Sequence, residues 1–232
     1  MSGLTLRAVS VSDETGAPIA GVVTNGSLIG TLDGWTANEP PPSSTNFTGP
    51  ARVLRGLTTT RSFFAIPSRP WARFVDVFEN QTANEISATI RYTTDVGSDD
   101  KGVMYDPTGG NQALIGYDLD LSDRDVGVVY GDGVVTFASA SGSRASLDDD
   151  FTVVDGSEII TVDYPVVIAP GGRVAIANFL LLGLDNAAAD SLDDSARSDL
   201  DAAAADVLTH YGDDGDYRAG LTQEQIDAII NF

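Results

Sequence analysis

The sequence predicts a mainly β protein: a single antiparallel β-sandwich of the extended, many-stranded kind, closed by two C-terminal helices. Three observations carry this expectation. As far as Leu184, short apolar runs are broken by Gly, Pro, Asn and Asp at roughly 8–12-residue spacing, the punctuation of an all-β domain. Beyond it, apolar residues recur every three or four positions, the period of a helix face. The chain has 232 residues, 42% of them hydrophobic, which suits one large core at a length that sandwiches reach as a single unit. The implied boundaries are 1–184 for the sandwich and 185–232 for a helical segment packed on the same domain.

Taken in order, LTLRAVSV alternates Leu4, Leu6 and Ala8 and opens a sheet. Nothing local supports this first strand. It must pair with another strand, either of its own chain or of a neighbour by strand addition. Residues 18–30, PIAGVVTNGSLIG, read as strand, Asn-Gly turn, strand. Residues 36–50, TANEPPPSSTNFTGP, read as a surface loop, because proline cannot donate to a sheet ladder.

The clearest strands are TTTRSFFAIPS and WARFVDVFENQ. In the second, Trp71, Arg73, Val75 and Val77 fall on one face, and Ala72, Phe74, Asp76 and Phe78 on the other. Aromatic and β-branched side chains suit such a half-buried pleated surface. EISATIRYTTDV follows after a short polar link and is expected to pair with it as a hairpin. Further strands are DVGVVYGD, GVVTFASAS, EIITVDYPVVIAP and RVAIANFLLLGL. The last follows a Pro-Gly-Gly turn and is almost continuously apolar, as expected of a strand buried on both faces.

Leu192, Ala196, Leu200, Ala203 and Val207 then mark one face of an amphipathic helix. Asp185 or Asn186 is expected to cap its start, and Gly212 lies beyond its end. A shorter helix in LTQEQIDAIINF has Thr222 as N-cap and Gln225 at the capping-box position. Phe232 is apolar and expected to dock.

Composition narrows function. Thirty-four acidic residues face thirteen basic ones, for a net charge of −21. Arginine supplies all the basic residues but Lys101. Phosphate binding needs clustered Lys and Arg, so nucleic acid and anionic membranes are poor partners. There is no cysteine, which removes disulfides, thiolate nucleophiles and Cys-based metal sites. No basic region followed by an apolar run opens the chain, and no stretch approaches a membrane span. Such acidity fits a salty or calcium-rich exterior where screening offsets self-repulsion. The expected location is extracellular or at the cell surface, as part of a larger protein or by export without a standard leader. The sequons at Asn25, Asn46 and Asn80 are no more than a Ser/Thr-rich chain yields by chance, and no glycosylation is read from them.

A resemblance adds to this. The strand WARFVDVFENQT, through Arg73, Phe74, Asp76, Phe78 and Asn80, resembles an aromatic R-[FW]-x-D-x-F-x-N strand of β-sandwich modules in large secreted bacterial proteins. VGSDD resembles their Gly-Ser-Asp turn. LSDRDVGVVYGDG resembles their Ala-Asp-Arg-Trp segment, with Asp125 in place of the tryptophan. APGGRVAIANFLLL resembles their Pro-Gly strand, and GLTQEQIDAIINF their closing helix ending in Asn-Phe. The likeness runs from about Ser62 to Phe232 and implies a sandwich without known catalytic residues.

The densest run of aspartate, Val96–Gly133, supplies two candidate calcium loops together with Asp95 just before it. One holds Asp95, Ser98, Asp99, Asp100 and Asp106. The other holds Asp118, Asp120, Asp123, Asp125 and Asp132. Calcium takes six to eight hard oxygens, commonly from closely spaced carboxylates. Neither loop matches the EF-hand or nonapeptide patterns, and solvated turns capped by Asp fit the same residues. Arg73 and Asp76 point to opposite faces of one strand. Each is expected to find a partner on another strand or loop, with Asp123 the carboxylate proposed for Arg73. His210, the single histidine, falls at a helix C-terminus, where its cation would suit the dipole. No serine elbow accompanies it, and zinc catalysis needs more imidazoles. Trp35 and Trp71 are either core plugs or exposed sugar-stacking rings.

The resulting expectation is a non-enzymatic structural or interaction module of an extracellular assembly, acidic, salt-tolerant and calcium-stabilised. It would contact other protein domains or copies of itself. The alternative is a carbohydrate-binding or carbohydrate-active accessory domain using aromatics and carboxylates on a glycan. A hydrolase using carboxylates alone is a third class, since with so many acids any pair could be chosen.

Overall fold

The computed structural model describes residues 5–12, 45–48, 51–54, 56–66, 69–95, 102–105, 112–118, 126–138, 144–146, 151–154, 159–182, 194–213 and 215–232. The strands in them are β1 (Thr5–Ser12), β2 (Thr45–Thr48), β3 (Arg52–Leu54), β4 (Leu57–Ala65), β5 (Trp71–Asn80), β6 (Ile86–Asp95) and β7 (Gly102–Tyr105). They continue with β8 (Ala113–Asp118), β9 (Val126–Val129), β10 (Val134–Ala138), β11 (Arg144–Ser146), β12 (Phe151–Val154), β13 (Ile159–Ile168) and β14 (Arg173–Leu182). The helices are α1 (Asp194–His210), α2 (Gly215–Arg218) and α3 (Gln223–Ala228).

The strands form two antiparallel sheets. The small sheet has the order β1-β6-β13-β10. The large one runs β11-β12-β7-β8-β9-β14-β5-β4-β2, with β3 also on β4. The predicted antiparallel sandwich is therefore what the chain forms, with the helical segment as a third layer on the outer face of the large sheet.

The alternation within β5 explains the layering. Phe78 faces the small sheet and packs with Ile176, Leu114 and Val128 against Ile90, Tyr92, Val162 and Tyr164. Trp71 and Val75 face the other way and join Ile115 and Phe179 under Leu200, Ala203, Ala204, Val207, Tyr211 and Tyr217. Trp71 stacks on Tyr217 at 5.2 Å between ring centroids. The alanines of α1 let its axis lie close to the sheet. Each large side chain buried there contributes about 1.5–3 kcal/mol, so the helices complete a second core. Central β14 is buried on both faces, as its apolar run predicts.

Several expectations are corrected. β5 and β6 are not a hairpin: β5 pairs with β4 and β14, and β6 with β1 and β13 in the other sheet. Asn80 braces the crossing. Its Nδ2 donates to Asn84 O at 2.7 Å and to Ile168 O at 2.9 Å. Its Oδ1 accepts from the amide and hydroxyl of Thr82 at 2.9 and 2.8 Å. Alternation shows that a strand has two faces; it does not say which sheet it joins.

Part of the proline-rich loop, Thr45–Thr48, is edge strand β2 on β4. Four residues without proline are enough to pair at an edge. β1 pairs with β6 of its own chain, which removes the need for a neighbour's strand. β7 and β8 run through the aspartate-rich stretch that reads from sequence as loops. Residues 18–30, Asp185 and Asn186 lie outside the described residues. α1 is described from Asp194, and Gly212 follows its last turn. Thr222 and Gln225 form the predicted capping box at α3.

Candidate functional site

Three buried polar groups organise the interior. The first joins the two sheets. Asp76 on β5 accepts two bonds from Arg61 on β4, Nε to Oδ1 and Nη2 to Oδ2, both 2.6 Å. Tyr92 on β6 donates to Asp76 Oδ2 at 2.8 Å. The pairing of Arg61 with Asp76 follows from register, because they lie opposite each other on adjacent strands. All three are at most 3% exposed. Burial, with the Asp76 charge adding to it, pushes the Tyr92 hydroxyl well above its usual range. The arrangement fixes one sheet against the other.

The second is Arg73. Its expected partner, Asp123, lies outside the described residues, and its guanidinium is directed elsewhere. Nη1 donates to Tyr217 O at 2.5 Å and Nη2 to Ala219 O at 2.7 Å. The group sits over the Phe64 ring at 4.9 Å. A cation thus caps the carbonyls at the end of α2, which suits the dipole there. Burial pulls its pKa down to about 10. This role is illegible in the sequence, where a carboxylate is the expected partner, since carbonyl partners leave no mark in side-chain identity. Arg69 with Asp216, at 2.7 Å, and Arg173 with Glu224, at 2.8 Å, also tie the C-terminal segment to the sheet or its borders.

The third is Asn231. The register of β9 on β14 covers Val126–Val129 against Leu182–Phe179 and then stops. Beyond that level the C-terminal segment takes over. Ala175 bridges Ile229 in parallel fashion, and Ile230 N donates to Ala175 O at 3.1 Å. Asn231 Nδ2 donates to Ala177 O at 2.7 Å and Tyr130 O at 2.8 Å, while its Oδ1 accepts from Ala177 N at 3.0 Å. The amide side chain stands in for a strand's backbone. Gly131, at φ 62°, makes room: a Cβ there would lie 1.8 Å from Asn231 O. Phe232 then packs on Tyr211 at 4.5 Å between centroids.

The candidate site is the groove on the other side of this seam. β10 pairs with β13 only over Ile159–Asp163. From Tyr164 to Ile168, β13 pairs with β6 on one side, and no described strand pairs on the other. A groove of about 440 Å³ runs along that open edge, bounded by Tyr164, Pro165, Val166 and Val167, by Val174 and Ile230 opposite, and by Asp132. Val167 is 63% and Ile230 44% exposed. Asp132 is the only charged residue among the described residues of the lining, and it accepts from Gln112 Nε2 at 2.7 Å.

Of the predicted calcium ligands, three lie among the described residues. Asp95 ends β6 in the small sheet, Asp118 ends β8 in the large sheet, and Asp132 lies in the turn between β9 and β10. Asp99, Asp100, Asp120, Asp123 and Asp125, like Ser98 and Asp106, lie outside the described residues. Among the described residues no group of three potential ligands is placed to hold a metal ion. Trp71 is 4% exposed, so it is a core plug and not a sugar platform; Trp35 is outside the described residues. Asn80 is fully buried, which closes that sequon in the folded state. His210 ends α1 with Nδ1 2.8 Å from Asp206 Oδ1, and the Tyr217 hydroxyl donates to the same carboxylate. No described helix is long and apolar enough to cross a membrane.

These features define a two-sheet antiparallel sandwich backed by helices. No protein-family model and no curated protein matches the chain. Solved structures that match the chain in part include a protein named "putative aldose 1-epimerase" from Klebsiella pneumoniae, at 10% identity and TM-score 0.36, over 73% of this chain and 56% of that one. A TPR-domain containing protein from Parabacteroides distasonis matches at 10% identity and TM-score 0.41, over 75% of this chain and 37% of that one. The chain thus spans little more than half of the first and about a third of the second. Likeness of this degree assigns no activity.

Proposed function

We propose that the chain is a non-enzymatic structural or interaction module of an extracellular assembly. The observation that supports this reading is how its polar groups are deployed. Asp76, Arg61, Arg73 and Asn231 are buried and spent on internal contacts, while the open groove is apolar with a single carboxylate among its described residues. General acid–base work by carboxylates needs two of them across a cleft, about 5–10 Å apart. The groove presents a contact surface instead. The extreme acidity fits a salty exterior, where the charge keeps the protein soluble.

Glycan arrays combined with chromogenic glycosides test the reading. The expected result is no saturable glycan binding and no turnover. Binding to a defined glycan, or hydrolysis, would replace it with the carbohydrate-directed alternative. Fractionation of source cells tests the location: the protein is expected in medium or envelope, and confinement to the cytosol would overturn that part.

A further inference from the structure

We infer that the groove beside β13 is a strand-addition site for an extended, basic and apolar segment of a partner protein. This rests on the interaction-module reading and names its contact surface. The seam that supports it has two matching halves. β9 and β10 are joined by the turn at 130–133 and stop at the same level, one on each sheet. β13 and β14 are joined by the Pro170-Gly171-Gly172 turn and continue past that level, so each has a lateral half-edge beyond its neighbour's end. On β14 that half-edge is occupied: residues 229–231 lie along it and satisfy Ala175 and Ala177. On β13 the equivalent half-edge, Tyr164–Ile168, faces the groove. One side of the seam already holds an extended segment, and the other has the same shape without one among the described residues.

The chemistry of the occupant follows from the lining. An open edge offers backbone groups, which an extended peptide meets with its own. Five residues of strand span about 16 Å, the length of segment the edge accepts. Val167, Val174 and Ile230 call for apolar side chains on the segment. Asp132 calls for Lys or Arg where the groove meets the turn, and the chain's charge of −21 reinforces that preference. A second copy is the poorer occupant. It carries the same net charge of −21 and is repelled. A glycan is poorer too, because the described residues of the groove include no tryptophan, and the Tyr164 hydroxyl is already bonded to Tyr130 O at 2.6 Å.

A displayed library of random heptapeptides, selected on the whole protein, is the test. Enriched peptides are expected to alternate apolar residues and to carry Lys or Arg. Affinity should fall about tenfold on Val167→Asp, and its salt dependence should flatten on Asp132→Asn. Methylating the backbone nitrogens that pair with the edge should abolish binding, which mere greasy contact would not predict. Both substituted residues are exposed, so the variants are expected to keep the parent's melting temperature. No enrichment, or enriched peptides indifferent to Val167→Asp and to N-methylation, would overturn the inference. Glycan binding or glycoside turnover would instead overturn the module reading beneath it, so the two failures are distinguishable.

Discussion

At the scale of single residues, the buried acid Asp76 sets the sharpest expectation. Removing it leaves Arg61 charged and unpaired between two sheets, which costs about 3–5 kcal/mol. Asp76→Ala should lose that much in urea unfolding, whereas an apolar replacement of Arg61 and Asp76 together should lose far less. The tyrosines give a second expectation, in pH. Burial raises Tyr92 and Tyr164 well above their usual 10 and Tyr211 to about 12. A hydroxyl whose folded pKa is raised contributes stability that is fully present below pH 10 and is lost as pH climbs through the folded value. Arg73, depressed to about 10, acts in the opposite sense, because above that pH the unfolded chain binds the extra proton. Three tyrosines outweigh one arginine, so stability should fall above pH 10. Tyrosinate absorbance should show these rings ionising only as the protein unfolds. A native titration complete near pH 10 would contradict the burial. The faces of β5 were legible in its alternation, and with them the separation of Arg73 from Asp76. The partner of Arg73 was not, because any residue can supply a carbonyl.

At the scale of elements, the C-terminal segment is the part most open to trial. Asn231→Ala removes three buried hydrogen bonds around Ala177 and Tyr130. A cost on the order of 3 kcal/mol is expected, with faster amide exchange at Ala177 as the local sign. Gly131→Ala should expel the same segment from the opposite direction, by steric conflict with Asn231 O. The capping box at α3 is a milder case: Thr222→Ala should cost about 1 kcal/mol and leave the sheets untouched. That box, the long helix and the buried run of β14 were all visible in sequence, since each rests on contacts within a few residues or on a sustained period. The destination of β6 was hidden. Its partners β1 and β13 lie far off in sequence, and the Asn80 side chain beside the crossing bonds Ile168, 88 positions along the chain. Short β7, β11 and β12 were hidden as well, because three or four residues carry too little alternation to be read.

At the scale of the whole molecule, charge governs. Raising salt from about 0.1 to about 1 M shortens the screening length from about 10 to about 3 Å, so the melting temperature should rise with potassium chloride. A falling midpoint would mean that ion pairs such as Arg91 with Asp163 outweigh the self-repulsion. The sandwich and its helical backing were legible because composition, turn spacing and the change of period all agree on them. The division into two sheets was not, since it is set by crossings such as the one at Asn80. The closure of the seam by residues 229–232 also orders events in time. Asn231 lies 54 positions after Ala177, and at about 5–20 residues per second a ribosome needs about 3–11 s to make that interval. Through those seconds the half-edge of β14 is complete and its closing piece does not yet exist. A nascent chain on a neighbouring ribosome carries the same closing piece and can supply it first, which is the start of a domain exchange.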